Sequence, residues 1–348
     1  MPKIPGVKLR GHIWGRPLIE ITRPLPLVGV VAFGVIDRGT NVLQVRPTTL
    51  CPLSCIFCSV DAGPKSRHRL TEYIVEYKWL AEWVEKIASI KGVKVEALID
   101  GVGDPLTYPW ITELVSTLKS SSWVSTVALE THGASLSIEL VDKLEEAGLD
   151  RINFSIESLD REKARILAGT AWFDIERVKR VIEYVARETS IDVHVTPVWL
   201  PGVNDNDVKE IIEWALRIGA GKRWPPATVQ KYVKHRYGRN PAGIREPSWK
   251  EFKEFVLRLG NKLGVNLMPS MKEWGMRYTP RLENPYHKGQ IIKLQVIAPG
   301  WLKGEKLAVT LKRDRLMTLI DAQWLEEGDI VMAKVIRDKD NIYIARPI

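Results

Sequence analysis

The sequence predicts an α/β protein: a partial, TIM-like barrel of six strand–helix units, followed by a small all-β barrel. Three observations carry this. From residue 42 to about residue 265, short β-rich runs alternate with segments of helical period. A doubly wound sheet would use the same alternation, but no Gly-rich phosphate loop opens the first helix, and a cysteine loop stands where it would be. After residue 280 the helical period vanishes and short β-rich runs follow one another closely.

The elements follow in order. Residues 1–40 read as an N-terminal extension or hairpin, in which "LVGVVAFGVI" is a buried strand too short to span a bilayer. Within 41–280, "VLQV" (42–45) leads into the cysteine loop and then a helix with Tyr77, Leu80, Ala81, Val84, Ile87 and Ala88 on one face. "VEALID" (95–100) precedes a helix from about Trp110 to Lys119, and "TVALET" (126–131) precedes "IELVDKLEEAG", closed by Gly148. "RINFSIE" (151–157) leads to a helix with Ile175, Val178, Val181, Ile182 and Val185 in register, and "DVHVTPVWL" (192–200) to "DVKEIIEWALRIG". "ATVQKYV" (227–233) precedes a helix whose Ser248 and Glu251 have capping-box spacing and which Gly264 ends. In a β/α barrel the reactive groups sit at the C-terminal strand ends. Here those ends carry the cysteines, "GVGDP", "ETHG" and "SIES". The linker "NPYHKG" then opens residues 284–348, whose five runs from "QIIKLQVIA" to "NIYIARPI" suit a small closed barrel of OB-like type.

The N-terminus lacks the apolar core of a secretory signal, and three clustered cysteines do not make a disulfide framework, so a reducing, cytoplasmic setting and no membrane partner are expected. A monomer is expected as well. The net charge is +9. Its excess has a location: residues 221–245 hold Lys222, Arg223, Lys231, Lys234, Arg236, Arg239 and Arg245 with no acid, interleaved with Trp224, Tyr232, His235 and Tyr237. Cations among flat rings can neutralise phosphates and stack on unpaired bases. Lys222, Arg223, Lys231, Lys234, Arg236, Tyr237 and Arg239 are therefore candidate RNA contacts, joined by Trp301, Lys303 and Lys306 in the small barrel.

All the cysteines, Cys51, Cys55 and Cys58, lie in "RPTTLCPLSCIFCSV". Structural zinc takes four Cys or His ligands, which leaves a zinc clip completed by His68 or His12 as one reading. A [4Fe–4S] cluster also normally takes four thiolates, so three would leave one iron open to another ligand.

C-x3-C-x2-C on the loop after the first barrel strand resembles the radical S-adenosylmethionine (SAM) superfamily, and Phe57 matches the aromatic usual before its last cysteine. The resemblance covers roughly residues 42–265. It implies a [4Fe–4S] cluster on Cys51, Cys55 and Cys58, SAM chelated on the open iron, and a reductant that drives SAM cleavage to a 5′-deoxyadenosyl radical. "GVGDPL" (101–106) occupies the place of the family's Gly-Gly-Glu-Pro motif. Gly103, Asp104 and Pro105 are then expected at the methionine ammonium, although Val102 and Asp104 depart from the pattern. Glu130, Thr131, His132 and Ser155 fall where relatives hold the ribose and carboxylate, with His132 where many have Asn, and Val198 would flank adenine. No catalytic residue beyond these is assigned.

The C-terminal unit, with "HKGQIIKLQVIAPGWLKGE", resembles the TRAM domain, an RNA-binding barrel attached to several tRNA-modifying enzymes, and "VQKYVKHRYGRNP" resembles archaeal members of the superfamily. A packing or dimerisation barrel is the alternative for this unit. With no cysteine beyond the triplet, methylthiotransferases, wybutosine-forming enzymes and cysteine-relay RNA methylases lack their extra cysteines here. The resemblance thus implies a single-cluster enzyme modifying an RNA nucleoside, most of all in tRNA, by group transfer or other C–H functionalisation. A radical enzyme acting on a protein or small molecule, and a non-catalytic zinc-containing RNA-binding protein, remain the alternatives.

Overall fold

A computed structural model describes residues 4–348. They form two compact units, one of residues up to Leu50 with Arg67–Ser125 and Tyr278–Ile348, the other of Cys51–Ser66 and Thr126–Arg277.

The first unit opens with an antiparallel hairpin, β1 (Val7–Ile13) and β2 (Arg16–Ile21). The expected strand "LVGVVAFGVI" is buried but only its end is extended, as β3 (Gly34–Asp37). Its earlier part instead offers backbone acceptors: Val28 O takes Leu316 N at 2.9 Å and Gly29 O takes Tyr343 N at 2.8 Å. β3 pairs antiparallel with β4 (Val42–Arg46), and β5 (Glu72–Val75) pairs parallel with β2. Helix α1 (Tyr77–Lys91) buries Leu80, Ala81, Val84, Ile87 and Ala88, the face the spacing predicts, while Tyr77 at its start is only half-buried. β6 (Val95–Ile99) lies parallel to β4, and α2 (Ile111–Ser120) follows.

β7 (Val124–Thr131) carries the chain into the second unit, where β7, β8 (Arg151–Phe154) and β9 (Asp192–Val195) are successive parallel neighbours. Both β8 and β9 are buried throughout, as strands covered on both faces must be. The covering helices are α3 (Ile138–Glu146), α4 (Arg161–Ala168), α5 (Ile175–Glu188) and α6 (Asp205–Ile218). Three expected strands are shorter than their apolar runs. "SIES" lies beyond the end of β8, and the 192–200 run breaks at Thr196–Pro197 before β10 (Val198–Trp199), because proline brings no N–H to the ladder. The 227–233 run shrinks to β11 (Gln230–Lys231), parallel to β10. Helix α7 (Trp249–Leu263) has both halves of its Ser248–Glu251 capping box, and Gly264 ends it with φ 65°.

His194 on β9 shows how tightly this layer is closed. Its Nδ1 lies 2.7 Å from Pro225 O, its Nε2 2.9 Å from Thr228 Oγ1, and its ring meets the Trp274 ring at 4.8 Å. Burial lowers its pKa to about 4. An unfolded histidine titrates near 6.5, so this stability is complete above about pH 6.5 and lost as pH falls toward the folded value. The loss should reach about 3 kcal/mol. Urea midpoints measured between pH 7 and pH 4.5 should fall more steeply for the native chain than for His194→Gln; equal slopes would contradict this account.

The first unit ends in a closed barrel of β12 (Ile291–Pro299), β13 (Lys306–Thr310), β14 (Leu316–Leu319), β15 (Ile330–Arg337) and β16 (Ile344–Pro347), ordered β12-β13-β14-β16-β15. These are the five expected strands. The β14–β16 contact is parallel, the others antiparallel. Leu294, Val296, Met317, Leu319, Val335 and Tyr343 fill its interior. Among the described residues, no helix is long and apolar enough to cross a membrane.

Candidate active site

In the second unit the cysteine loop is pinned by backbone. Ser54 N donates to Ala168 O and Thr170 Oγ1, both at 3.1 Å, and Ile56 N donates to Leu167 O at 2.9 Å, at the end of α4. Cys51 and Cys55 are buried, Cys58 half-buried, and none of the three is in a disulfide. The Ala62 amide donates to Cys58 Sγ at 3.2 Å. Facing Cys55 Sγ at 3.9 Å is His132 Nε2. His132 Nδ1 lies 2.8 Å from Ser155 O, which only accepts, so in the neutral ring Nδ1 carries the proton and Nε2 is left as the acceptor toward the thiol.

Glu157 completes this group. It is buried, accepts from Ser155 Oγ at 3.2 Å, and stands 3.8 Å from His132 Nδ1. Burial raises its pKa, with His132 and Ser155 pulling the other way. Burial also pushes the Cys55 thiol well above its ordinary value, and Glu157 and Cys58 add to it. A small cleft is lined by Leu53, Cys55, His132, Ser155, Glu157 and Phe173 among others. Of the expected cofactor contacts, this cleft gathers His132 and Ser155. Phe57 and Thr131 are buried outside its lining, Thr131 Oγ1 accepting from Gly133 N at 2.9 Å. Glu130 lies in β7 and Val198 in β10, likewise outside it.

The "GVGDP" turn belongs to the first unit. A Cβ on Gly103 would sit 2.1 Å from Leu50 O and 2.5 Å from Thr49 O, so only glycine lets this turn lie on the segment that enters the cysteine loop. Asp104 N donates to Leu50 O at 2.7 Å. The Asp104 carboxylate accepts from Leu106 N at 3.0 Å and so caps the short turn of helix that Pro105 begins. Arg69 is the residue the motif did not announce. Its buried guanidinium donates to Thr49 O at 2.5 Å and to Val102 O, and pairs with Glu72 at 3.1 Å.

The expected RNA contacts separate into two kinds. Lys222 turns its ammonium onto Thr189 O at 2.5 Å, Lys231 pairs with Glu246 at 2.7 Å, and Arg239 is drawn into the cysteine loop. Trp301 lies under the Arg69 guanidinium at 5.0 Å instead of forming an open platform, and Lys306 is half-buried. Lys222 thus spends its ammonium on backbone carbonyls, Lys231 on Glu246, and Arg239 on loop carbonyls and buried Asp61, so these three are not the free cations that the sequence suggests, and Trp301 is not an open ring. Lys234, Arg236, Tyr237 and Lys303 are exposed, with Arg236 over the Tyr237 ring at 5.2 Å, and exposed Arg223 lies 3.5 Å from Asp150.

A sequence model of the radical SAM superfamily matches residues 45–215. An uncharacterized protein of Methanocaldococcus jannaschii is 35% identical over 97% of this chain and 82% of its own length. The chain belongs to the radical SAM superfamily. GTP 3′,8-cyclase of Chlorobaculum tepidum is 29% identical over 51% of this chain and 50% of its own, so the chain spans about half the length of that relative. The SuiB structure from Streptococcus suis bound to its precursor peptide SuiA aligns at 17% identity and TM-score 0.49, over 67% of this chain and 48% of that one.

This radical SAM enzyme uses a [4Fe–4S] cluster and SAM. The donor set fits. Three thiols free of disulfides, with an amide N–H aimed at one sulfur, are soft ligands suited to iron–sulfur binding. Cys51, Cys55 and Cys58 would hold the cluster, whose chemistry when reduced is cleavage of SAM to a 5′-deoxyadenosyl radical. The chain's own residues fix the loop, present His132, Ser155 and Glu157 to the cleft, and keep water from the buried thiols.

Proposed function

We propose that the chain holds one cluster on Cys51, Cys55 and Cys58, binds the methionine end of SAM beside the Gly103 turn, and modifies a nucleoside within RNA, with tRNA as the substrate class. The observation that carries the RNA reading is the closed five-stranded barrel, an architecture that often serves as a nucleic-acid platform. Exposed Lys234, Arg236 and Tyr237 in the second unit supply charge and a ring for a single strand, and the first unit has exposed Lys303 beside its barrel. The target base would have to leave its stack to meet a buried radical source. A low-potential electron donor is the second partner the chemistry requires.

A second reading, a free purine nucleotide as substrate, is favoured by the relatives named GTP 3′,8-cyclase, of which the chain spans about half. One experiment separates them. The anaerobically reconstituted enzyme is offered bulk tRNA or GTP, and 5′-deoxyadenosine is quantified. The RNA reading expects tRNA-dependent product and tRNA binding that weakens with salt. Lys234→Glu with Arg236→Glu should reduce the salt slope by about 2 if each meets a phosphate. GTP-dependent product with no tRNA affinity at low salt would replace it with the second reading.

A further inference from the structure

Arg239 lies in the cationic stretch but faces the cysteines. Its Nη1 donates to Cys55 O at 2.8 Å, its Nη2 to Ala62 O, and its Nε pairs with Asp61 at 2.9 Å. Its backbone N–H adds a fourth bond, to Cys58 O at 2.8 Å. One residue thereby holds four points of the segment from Cys55 to Ala62. Asp61, the anionic partner, is buried, sits at φ 48°, and accepts from Ser66 Oγ at 3.0 Å. The preceding Gly238 lies flat on the same loop: a Cβ there would be 2.9 Å from Ser59 O and 3.1 Å from Cys58 O. The 235–240 turn is closed by Gly238 N and Asn240 Nδ2, both donating to His235 O, at 3.1 and 2.9 Å.

A neutral hydrogen-bond donor could pin a loop. A guanidinium adds a permanent charge in a poorly solvated place, where electrostatic effects are larger than in water. The Arg239 charge is fixed beside this loop by its two carbonyl bonds and by buried Asp61. Three thiolates around an iron–sulfur centre are anionic, and reduction adds one electron from the external donor, with no bond made or broken. A fixed cation nearby favours the more negative state, and cluster potentials are set by net charge and hydrogen bonding of this kind.

We propose that Arg239 is a positioning residue for the cluster site: it clasps the Cys55–Ala62 segment in its ligating shape and its charge favours the reduced form of the cluster. This rests on the assignment of the three cysteines as ligands.

The test compares native protein with R239Q and R239K. In the metal-free proteins, whose only thiols are the three of this loop, a neutral alkylating reagent should modify R239Q and R239K roughly tenfold or more faster, because charge-assisted bonds hold the loop closed. In the reconstituted proteins, the midpoint potential by redox titration should be lower in R239Q and close to native in R239K, which keeps the charge but loses the fork. If native protein binds no iron, the ligand assignment itself fails. If native protein reconstitutes and R239Q shows its alkylation rate or its midpoint potential, this proposal is overturned while the assignment stands. Should R239Q not fold, native alkylation rates in R239K overturn it equally.

Discussion

Replacing Cys55 by alanine is expected to abolish cluster retention and reduce 5′-deoxyadenosine formation to background, while the fold survives. The loop's course does not depend on that thiol. Ser54 and Ile56 are held through backbone to the end of α4, and Arg239 grips Cys55 through its carbonyl, which alanine keeps. Removing one small buried sulfur costs about 1 kcal/mol by comparison with other small core truncations. A cluster cannot tolerate the same loss, since only Cys51 and Cys58 would remain as thiolates. Iron and sulfide content, the visible spectrum and the urea midpoint of the same preparation decide the matter. Native iron content or SAM cleavage in Cys55→Ala would remove the basis for the assignment.

What the sequence displays is what side chains announce. The triplet is a spacing, the buried face of α1 is a period, and the Ser248–Glu251 cap is a pair of letters three apart. The five barrel strands could be read because turn residues separate them and no helical period competes. What stays hidden are interactions with backbone carbonyls, which have no letter of their own. Arg239 reads as one more cation in a basic stretch, and nothing in its neighbours reveals that Cys55 O and Ala62 O await it. Trp301 reads as a stacking platform because its partner, Arg69, is more than two hundred positions away in sequence. Glu157 could have been suspected: it stands two residues beyond Ser155 in a quoted strand-end motif, where a buried acid needs partners. Asp104 has a use that the motif does not announce. The motif assigns it to a ligand's cation, and the fold also uses one of its carboxylate oxygens as a cap.

Arg69→Met is expected to produce the largest loss of stability and, by loosening the Gly103 turn, a loss of SAM affinity. Arg69 and Glu72 are both fully buried and 3.1 Å apart, and Glu72 also takes Arg16 at 3.0 Å and Thr49 Oγ1 at 2.5 Å. Breaking a buried pair by deleting one partner costs about 3–5 kcal/mol, because the other charge is stranded. Here Arg16 and Thr49 still hold Glu72, so the cost should lie near the lower end, about 3 kcal/mol. The same guanidinium ties Thr49 O to Val102 O, the two strands of backbone that meet at Gly103. Loosening them should therefore raise KM for SAM roughly tenfold, the size of one charge-assisted hydrogen bond, with kcat changed less. Arg69→Lys separates the two effects. It retains a charge for Glu72 but lacks the planar fork that reaches both carbonyls, so stability should partly recover while KM stays high. A lysine variant with native SAM dependence would show that Arg69 serves the fold alone.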